Sequence, residues 1–214
     1  MCNTYRDSSI FLDGSAEVKA ALRNRVKGRN PWGGHGRGYE DPERLLQAIK
    51  DPAFSLAARI QYEGGARAEG VGFAQSEYSK SALTHENLCG IQEDPYFKDG
   101  RLVGVIVTVE KGGFCGEHYI TPATYRKLEC FIEYFGHLSG DYRGYLKAVE
   151  RAAKVTGQHR RARGTHGLKH AFAYNFLENA FLAGMTQSSA LAELSRRCSH
   201  HRAEVAKTFY ATRR

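Results

Sequence analysis

Hydrophobic residues recur at helical spacing along most of this chain and follow strand spacing only in its middle. Seven stretches after residue 38 have the helical pattern: 41–51, 54–67, 122–135, 140–157, 165–184, 186–198 and 201–210. The segments ALTHENLCGI, RLVGVIVTV and EHYIT predict strands at 82–91, 101–109 and 117–121, with EKGGFCG as a hairpin turn between the last two. The pattern therefore predicts a mostly α fold with a small antiparallel β-sheet, of the α+β class.

The N-terminal part of the chain differs from the rest. SAEVKAALRNRVKG at residues 15–28 predicts one helix, and the glycine-rich NPWGGHGRGY at residues 30–39 predicts a linker. The main domain then begins with a proline in the first turn of a helix, after Asp41. We therefore expect a helical extension and linker over residues 1–38 and one domain over residues 39–214.

Composition limits the class of protein. The chain has 214 residues, 42% hydrophobic and 25% charged, which is typical of a globular domain that buries its own core. No apolar run approaches the roughly 18 residues of a membrane helix, and the N-terminus lacks a signal pattern. The five cysteines are scattered without a CxxC pair, as in reduced proteins. We expect a cytoplasmic protein with no membrane partner.

Positive charge is concentrated in the last third of the chain. Residues 151–214 contain twelve Lys and Arg and three Glu, a net +9, so the whole-chain charge of +8 leaves −1 for residues 1–150. A basic region beside a neutral body predicts a polyanionic partner, most often nucleic acid. The alternative is a solvated basic face without a ligand.

The segment THGLKHAFA has an unusual concentration of polar side chains at the start of a helix. His166, Lys169 and His170 are spaced i, i+3 and i+4, so they share one side of that helix. The simplest interpretation is a solvated first turn. A second is a metal site in which Cys198, His200 and His201 supply further ligands, although the Glu of an HExxH motif is absent.

A third interpretation comes from the wider sequence. GTHGLKHAFAYNFLENA resembles the H-x-L-R-H motif and following helix of the tyrosine recombinase (phage integrase) family. YEGGARAEG resembles the first box of that family, with Arg67 as its arginine. VTVEKGGFCGEHYITP resembles the strand–turn–strand segment that presents the lysine, here Lys111. The boxes stand in the order of the family and cover residues 39–214.

ELSRRCSHHRAEVAKTFY resembles the terminal box, in which L-G-H precedes a tyrosine by nine or ten residues. Tyr210 is that tyrosine. His200 stands ten residues before it and His201 nine, and we favour His200 because LSRRCSH aligns with V-S-x-x-L-G-H.

The resemblance implies a site-specific recombinase or integrase, a DNA strand transferase that works through a 3′-phosphotyrosyl intermediate without metal or cofactor. Tyr210 would be the nucleophile, Arg67 would bind the phosphate and Lys111 would protonate the leaving 5′-oxygen. His166 and His200 would move protons or hydrogen-bond the phosphate. The implied partner is double-stranded DNA, with self-association on it, as a tetramer in relatives.

The chain departs from the family pattern in several places. Lys169 replaces the second arginine, and an ammonium cannot repeat a two-pronged guanidinium contact with phosphate, which predicts reduced activity. About 38 residues precede the predicted domain, too few for the usual N-terminal DNA clamp, and only four follow Tyr210. The acidic residue expected three positions after Arg67 is displaced to Glu69.

Two alternatives to a recombinase remain. One is a catalytically impaired DNA-binding relative with the same fold, motivated by Lys169. The other is a metal-dependent hydrolase that uses the His and Cys clusters.

Overall fold

The computed structural model describes residues 37–75, 82–110, 113–159 and 163–199. Within them lie six α-helices and three strands. In chain order they are α1 (Pro42–Ala48), α2 (Pro52–Gly64), β1 (Leu88–Glu93), β2 (Leu102–Glu110), β3 (Phe114–Ile120), α3 (Pro122–Phe135), α4 (Tyr142–Val155), α5 (His166–Leu182) and α6 (Gln187–Arg197). The predicted α+β class is confirmed. The predicted helices at 15–28 and 201–210 lie outside the described residues, and the domain division at residue 38 stays a prediction.

Most helices begin where the sequence places a capping side chain. Asp41, Asp51, Thr121, Asp141 and Thr186 each accept a hydrogen bond from a backbone N–H in the first turn of the following helix. In α1, α2 and α3 a proline occupies the first turn, where its missing N–H costs nothing. Local sequence therefore sets these five helix starts.

The three strands form one antiparallel sheet in the order β1-β2-β3. Two of the predicted bounds are wrong. The first strand begins at Leu88 and not at residue 82, because His85–Asn87 form a 3₁₀ turn closed by a hydrogen bond from the Thr84 N–H to the Asn87 side chain. The third strand begins at Phe114, which pairs with Glu110, so the hairpin turn is much shorter than EKGGFCG.

Helix α5 runs through the core and packs on α2 and α6. Its predicted core residues are buried: Leu168, Phe172, Phe176 and Ala180. Lys169 and His170 are buried as well, at 0% and 1% exposure, whereas His166 is exposed. The polar side chains at the start of α5 therefore do not form one solvated face.

None of the helices that the structure describes is long and apolar enough to cross a membrane.

Candidate functional site

Arg67 lies in the short loop that follows α2. The helix ends because Gly65 adopts a left-handed backbone with φ 72°, and its N–H donates to the Gln61 carbonyl. A side chain at Gly65 would also come within 2.5 Å of the Phe172 ring, so only glycine allows this loop to approach α5 so closely. Gly65 thus lets the loop that carries Arg67 pack against α5.

A buried carboxylate, Glu110, holds Arg67 in this position. The Arg67 N–H donates to Glu110 Oε1 at 2.9 Å, and Arg67 Nη1 donates to Oε2 at 2.6 Å. The Arg67 side chain is 27% exposed, whereas that of Glu110 is fully buried. One end of the guanidinium is therefore fixed inside the protein while part of it reaches solvent.

His118 connects this carboxylate to the end of α2. Its Nδ1 lies 2.9 Å from the Gly64 carbonyl oxygen, which can only accept, so Nδ1 is the donor. Its Nε2 lies 3.0 Å from Thr108 Oγ1 and 3.3 Å from Glu110 Oε1. Because all of these side chains are buried, they lock β2 and β3 against the loop that carries Arg67.

The surroundings keep Glu110 ionised. Burial raises the pKa of this carboxyl, but the hydrogen bond from His118, the charge of Lys169 and the Arg67 N–H outweigh it and lower the pKa to about 2. Glu110 is therefore a permanent negative charge behind the cations at neutral pH.

Lys169 is enclosed on all sides. Its exposure is 0%, and its Nζ donates to the Cys198 carbonyl at 2.7 Å. Burial lowers the pKa of Lys169, and the Glu110 charge partly opposes that shift. In this structure the ammonium thus contacts the protein backbone and not the solvent.

His166 stands at the solvent side of the same turn. Its ring meets the His170 ring edge-on, with centroids 4.9 Å apart. Desolvation of the ring by the surrounding protein lowers the pKa of His166, and the positive charges of Lys169, Arg67 and Arg37 lower it further. A neutral imidazole among cations can take up a proton when an anion binds beside it.

The segment around Arg37 crosses the first turn of α5. A side chain at Gly38 would come within 2.9 Å of the Tyr174 ring, and one at Gly167 within 2.8 Å of the Tyr39 ring. The Tyr39 hydroxyl donates to the Gly164 carbonyl at 2.9 Å. Because two glycines replace larger side chains at this contact, residues 37–39 pack directly on α5. The Arg37 guanidinium therefore comes within electrostatic range of His166.

The fold places three of the predicted site residues within electrostatic range of one another: Arg67, His166 and Lys169. Lys111, His200, His201 and Tyr210 lie outside the described residues. Described residues that shortly precede these positions contact the site. Glu110, which precedes Lys111, binds Arg67, and the carbonyl of Cys198, two residues before His200, accepts a hydrogen bond from Lys169.

Glu110, His118, Thr108 and Arg37 are not among the residues predicted from the sequence. The sequence does indicate that Glu110 is buried. Side chains alternate along the strand RLVGVIVTVE, so Glu110 lies on the same buried side as Ile106 and Thr108. The pairing of Ile106 with His118 extends that side to β3. Nothing in the glycine-rich linker distinguishes Arg37.

Several arginines of the basic last third are already paired. Arg163 lies 3.2 Å from Glu40, and Arg197 lies 2.7 Å from both Asp94 and Glu193. Arg196 forms ion pairs with Glu117 and Glu193. Three of the twelve Lys and Arg that predicted a polyanionic partner are therefore already paired with carboxylates of the same chain.

The metal interpretation gains no support from residues 37–75, 82–110, 113–159 and 163–199, where no group of three or more His, Cys, Asp and Glu is placed to hold an ion. His200 and His201, on which that hypothesis depends, fall outside those ranges.

Ser199 adopts a backbone conformation that is typical of glycine. Its φ is 52°, a left-handed conformation that costs a side-chain-bearing residue about 1–2 kcal/mol. Its hydroxyl is buried without a hydrogen-bond partner among the described residues, and it lies against Gly116 of β3. This position aligns with the glycine of the L-G-H motif.

Replacement of Ser199 with glycine is therefore expected to raise the free energy of unfolding by about 0.5–1 kcal/mol in urea titrations. Ala192→Gly, at an exposed position of α6, is the control and should lower it by about 1 kcal/mol. A Ser199→Gly protein no more stable than the original would contradict this account of the turn.

Comparison with known proteins identifies the fold. The chain matches no family model and no curated protein sequence. The solved structures similar to it include the XerH site-specific recombinase bound to difH substrate before cleavage (TM-score 0.58, 15% identity) and the same recombinase bound to palindromic difH substrate after cleavage (TM-score 0.57, 16% identity). They also include the XerA recombinase (TM-score 0.55, 12% identity).

The similarity extends over 83%, 83% and 81% of this chain but only 50%, 49% and 59% of those proteins, so the chain spans about half their length. At this identity the match shows the fold alone. This chain thus has the fold of a tyrosine recombinase catalytic domain, with six described helices and a three-stranded antiparallel sheet.

Proposed function

We propose that this chain cleaves and rejoins strands of double-stranded DNA as a tyrosine recombinase does. The observation that carries the proposal is that the loop of Arg67 packs on α5 at Gly65 and Phe172, which puts Arg67 within electrostatic range of His166. The resemblance assigns a role at the phosphate to both residues. The proposal is also supported by the fold, which this chain shares with a recombinase that cleaves its DNA substrate. Assembly of several copies on DNA and a cytoplasmic location stay predictions.

The site suits a phosphodiester. Arg67 has an exposed fraction of guanidinium that can donate to a non-bridging oxygen, while Glu110 fixes its other end. His166 is neutral beside several cations, so it can donate a hydrogen bond or accept a proton as negative charge builds on the phosphate. Preorganised donors of this kind stabilise a pentacoordinate transition state.

The proposed reaction needs no added reagent. The Tyr210 oxygen attacks the phosphorus and loses its proton to His200 or His166, while the bond to the 5′-oxygen breaks. Lys111 protonates that oxygen, so the products are a 3′-phosphotyrosyl link and a free 5′-hydroxyl. Attack by a 5′-hydroxyl on the phosphotyrosyl link reverses these steps and rejoins a strand.

A second function is favoured by one observation. Lys169 stands where the family has its second arginine, and its ammonium is buried against Cys198. If no other group replaces that phosphate contact, the chain binds DNA without cutting it.

The test uses a pool of nicked suicide duplexes of randomised sequence, from which cleaved ends cannot be religated. We expect a covalent protein–DNA band on denaturing gels with the original protein and none with Tyr210→Phe. Tyr134→Phe removes the hydroxyl of an exposed tyrosine and should leave the band unchanged. A band that persists in Tyr210→Phe would refute the nucleophile. Salt-sensitive DNA binding without any band would favour the non-catalytic alternative.

A further inference from the structure

We infer that Lys169 is a positioning residue, which fixes the end of α6 and so determines where the chain leaves the domain toward His200 and Tyr210. This role deepens the proposed function and rests on it for its consequence in catalysis. It differs from the phosphate contact that the aligned position predicts.

The contact itself lies at a helix end. The last carbonyls of a helix have no partner within it, and the Cys198 carbonyl receives the Lys169 ammonium at 2.7 Å. A cation there also interacts favourably with the helix dipole. Cys198 and Ser199 otherwise close the helix with N–H groups that donate to Leu194 and Arg196. The ammonium is thus a side-chain cap for α6.

Burial makes this arrangement specific for lysine. The side chain is one of the largest that are fully enclosed in the described part of the protein. A compact ammonium fits such a space, whereas a planar guanidinium needs more room and five hydrogen-bond acceptors. The Glu110 carboxylate stabilises the charge through space.

The same contacts connect three parts of the proposed site. Lys169 follows His166 by one helical turn on α5, its ammonium holds α6, and Glu110 holds Arg67. Loss of the ammonium should therefore release the chain after α6 while Arg67 and His166 remain in place. Misplacement by about 1 Å is enough to slow a reaction roughly 10²-fold.

The experiment compares Lys169→Met, Lys169→Arg and the exposed-lysine control Lys147→Met. In Lys169→Met we expect amide hydrogen exchange at Cys198 and Ser199 to be at least about tenfold faster, with Ala190 of the same helix unchanged. At saturating DNA, covalent adduct formation should fall about 10- to 100-fold while DNA affinity stays within about twofold. Lys147→Met should match the original protein in all three measurements.

Two results would overturn the inference. One is unchanged exchange at Cys198 and Ser199 in Lys169→Met. The other is a Lys169→Arg protein that forms adducts faster than the original, since that is the result expected of a phosphate contact. Because exchange needs no DNA, it decides the positioning role even if no variant forms an adduct and the proposed function fails.

A variant that does not fold would not end the test. If Lys169→Met fails to fold, the double variant Lys169→Met/Glu110→Gln removes both buried charges and is compared with Glu110→Gln alone. Faster exchange at Cys198 and Ser199 in the double variant supports the inference, and equal exchange overturns it.

Discussion

Replacement of Glu110 with alanine is expected to lower the free energy of unfolding by about 3–5 kcal/mol at neutral pH. The carboxylate accepts from the Arg67 backbone and guanidinium and lies 3.3 Å from His118 Nε2, with an exposure of only 3%. Its removal leaves those donors, and the buried Lys169 ammonium, without their anionic partner. Urea unfolding followed by circular dichroism measures the change.

The effect should depend on pH in one direction. The folded pKa of Glu110 lies below its ordinary value of 4.5, at about 2, so its charge stabilises the protein in full above about pH 4.5. That contribution, about 3 kcal/mol, is lost as the pH falls toward 2. In Glu110→Gln, the stability curve between pH 5 and 2.5 should therefore be flatter than in the original protein.

A matched glutamate serves as the control. Glu117 lies on the neighbouring strand in an exposed ion pair with Arg196, so Glu117→Ala should cost less than about 1 kcal/mol. If Glu110→Ala costs no more than Glu117→Ala, the buried carboxylate does not hold the site together.

The order of helices could be predicted from the sequence, because periodicity and caps are local signals. The proximity of Arg67 to His166 was implied by the resemblance of their motifs to a known family. The partners of the site residues could not be predicted. Strand alternation indicates that Glu110 is buried but not that it binds Arg67, which stands 43 residues before it. The pattern around Lys169 likewise does not indicate a contact with a carbonyl 29 residues away. Helical spacing placed Lys169 beside His166 correctly but could not show which of the two faces solvent.

The net charge of a segment does not show which of its charged residues are paired inside the protein. Counting charges assigns the basic last third to an external polyanion, yet Arg163 and Arg197 are buried and pair with Glu40 and Asp94 from the first half of the chain. Arg197 also lies over the rings of Tyr119 and Phe176, as a structural cation does. A count of charged residues includes these two arginines, although carboxylates of the same chain already balance their charges.

Arg67 is the residue whose loss should slow the proposed reaction most among those that the structure describes. Arg67→Ala removes a preorganised donor to the phosphate, so we expect covalent adduct formation to fall about 10²- to 10³-fold at unchanged protein concentration. Arg67→Lys keeps the positive charge but not the two-pronged hydrogen bonding of a guanidinium. Its rate should therefore lie between those of Arg67→Ala and the original protein. Rates are measured on the suicide duplexes at a temperature where each variant is folded.

The fold offers a closely matched control arginine and a way to connect both predictions. Arg59 on α2 is paired with Glu43 and is 28% exposed, against 27% for Arg67, so Arg59→Ala should leave the rate unchanged. If Glu110 acts through Arg67, Glu110→Gln should slow the original protein but add little to Arg67→Ala, a coupling that a double-mutant cycle measures. Adduct formation by Arg67→Ala within tenfold of the original would contradict the phosphate-binding role, and fully additive losses would show that Glu110 affects the rate by another route.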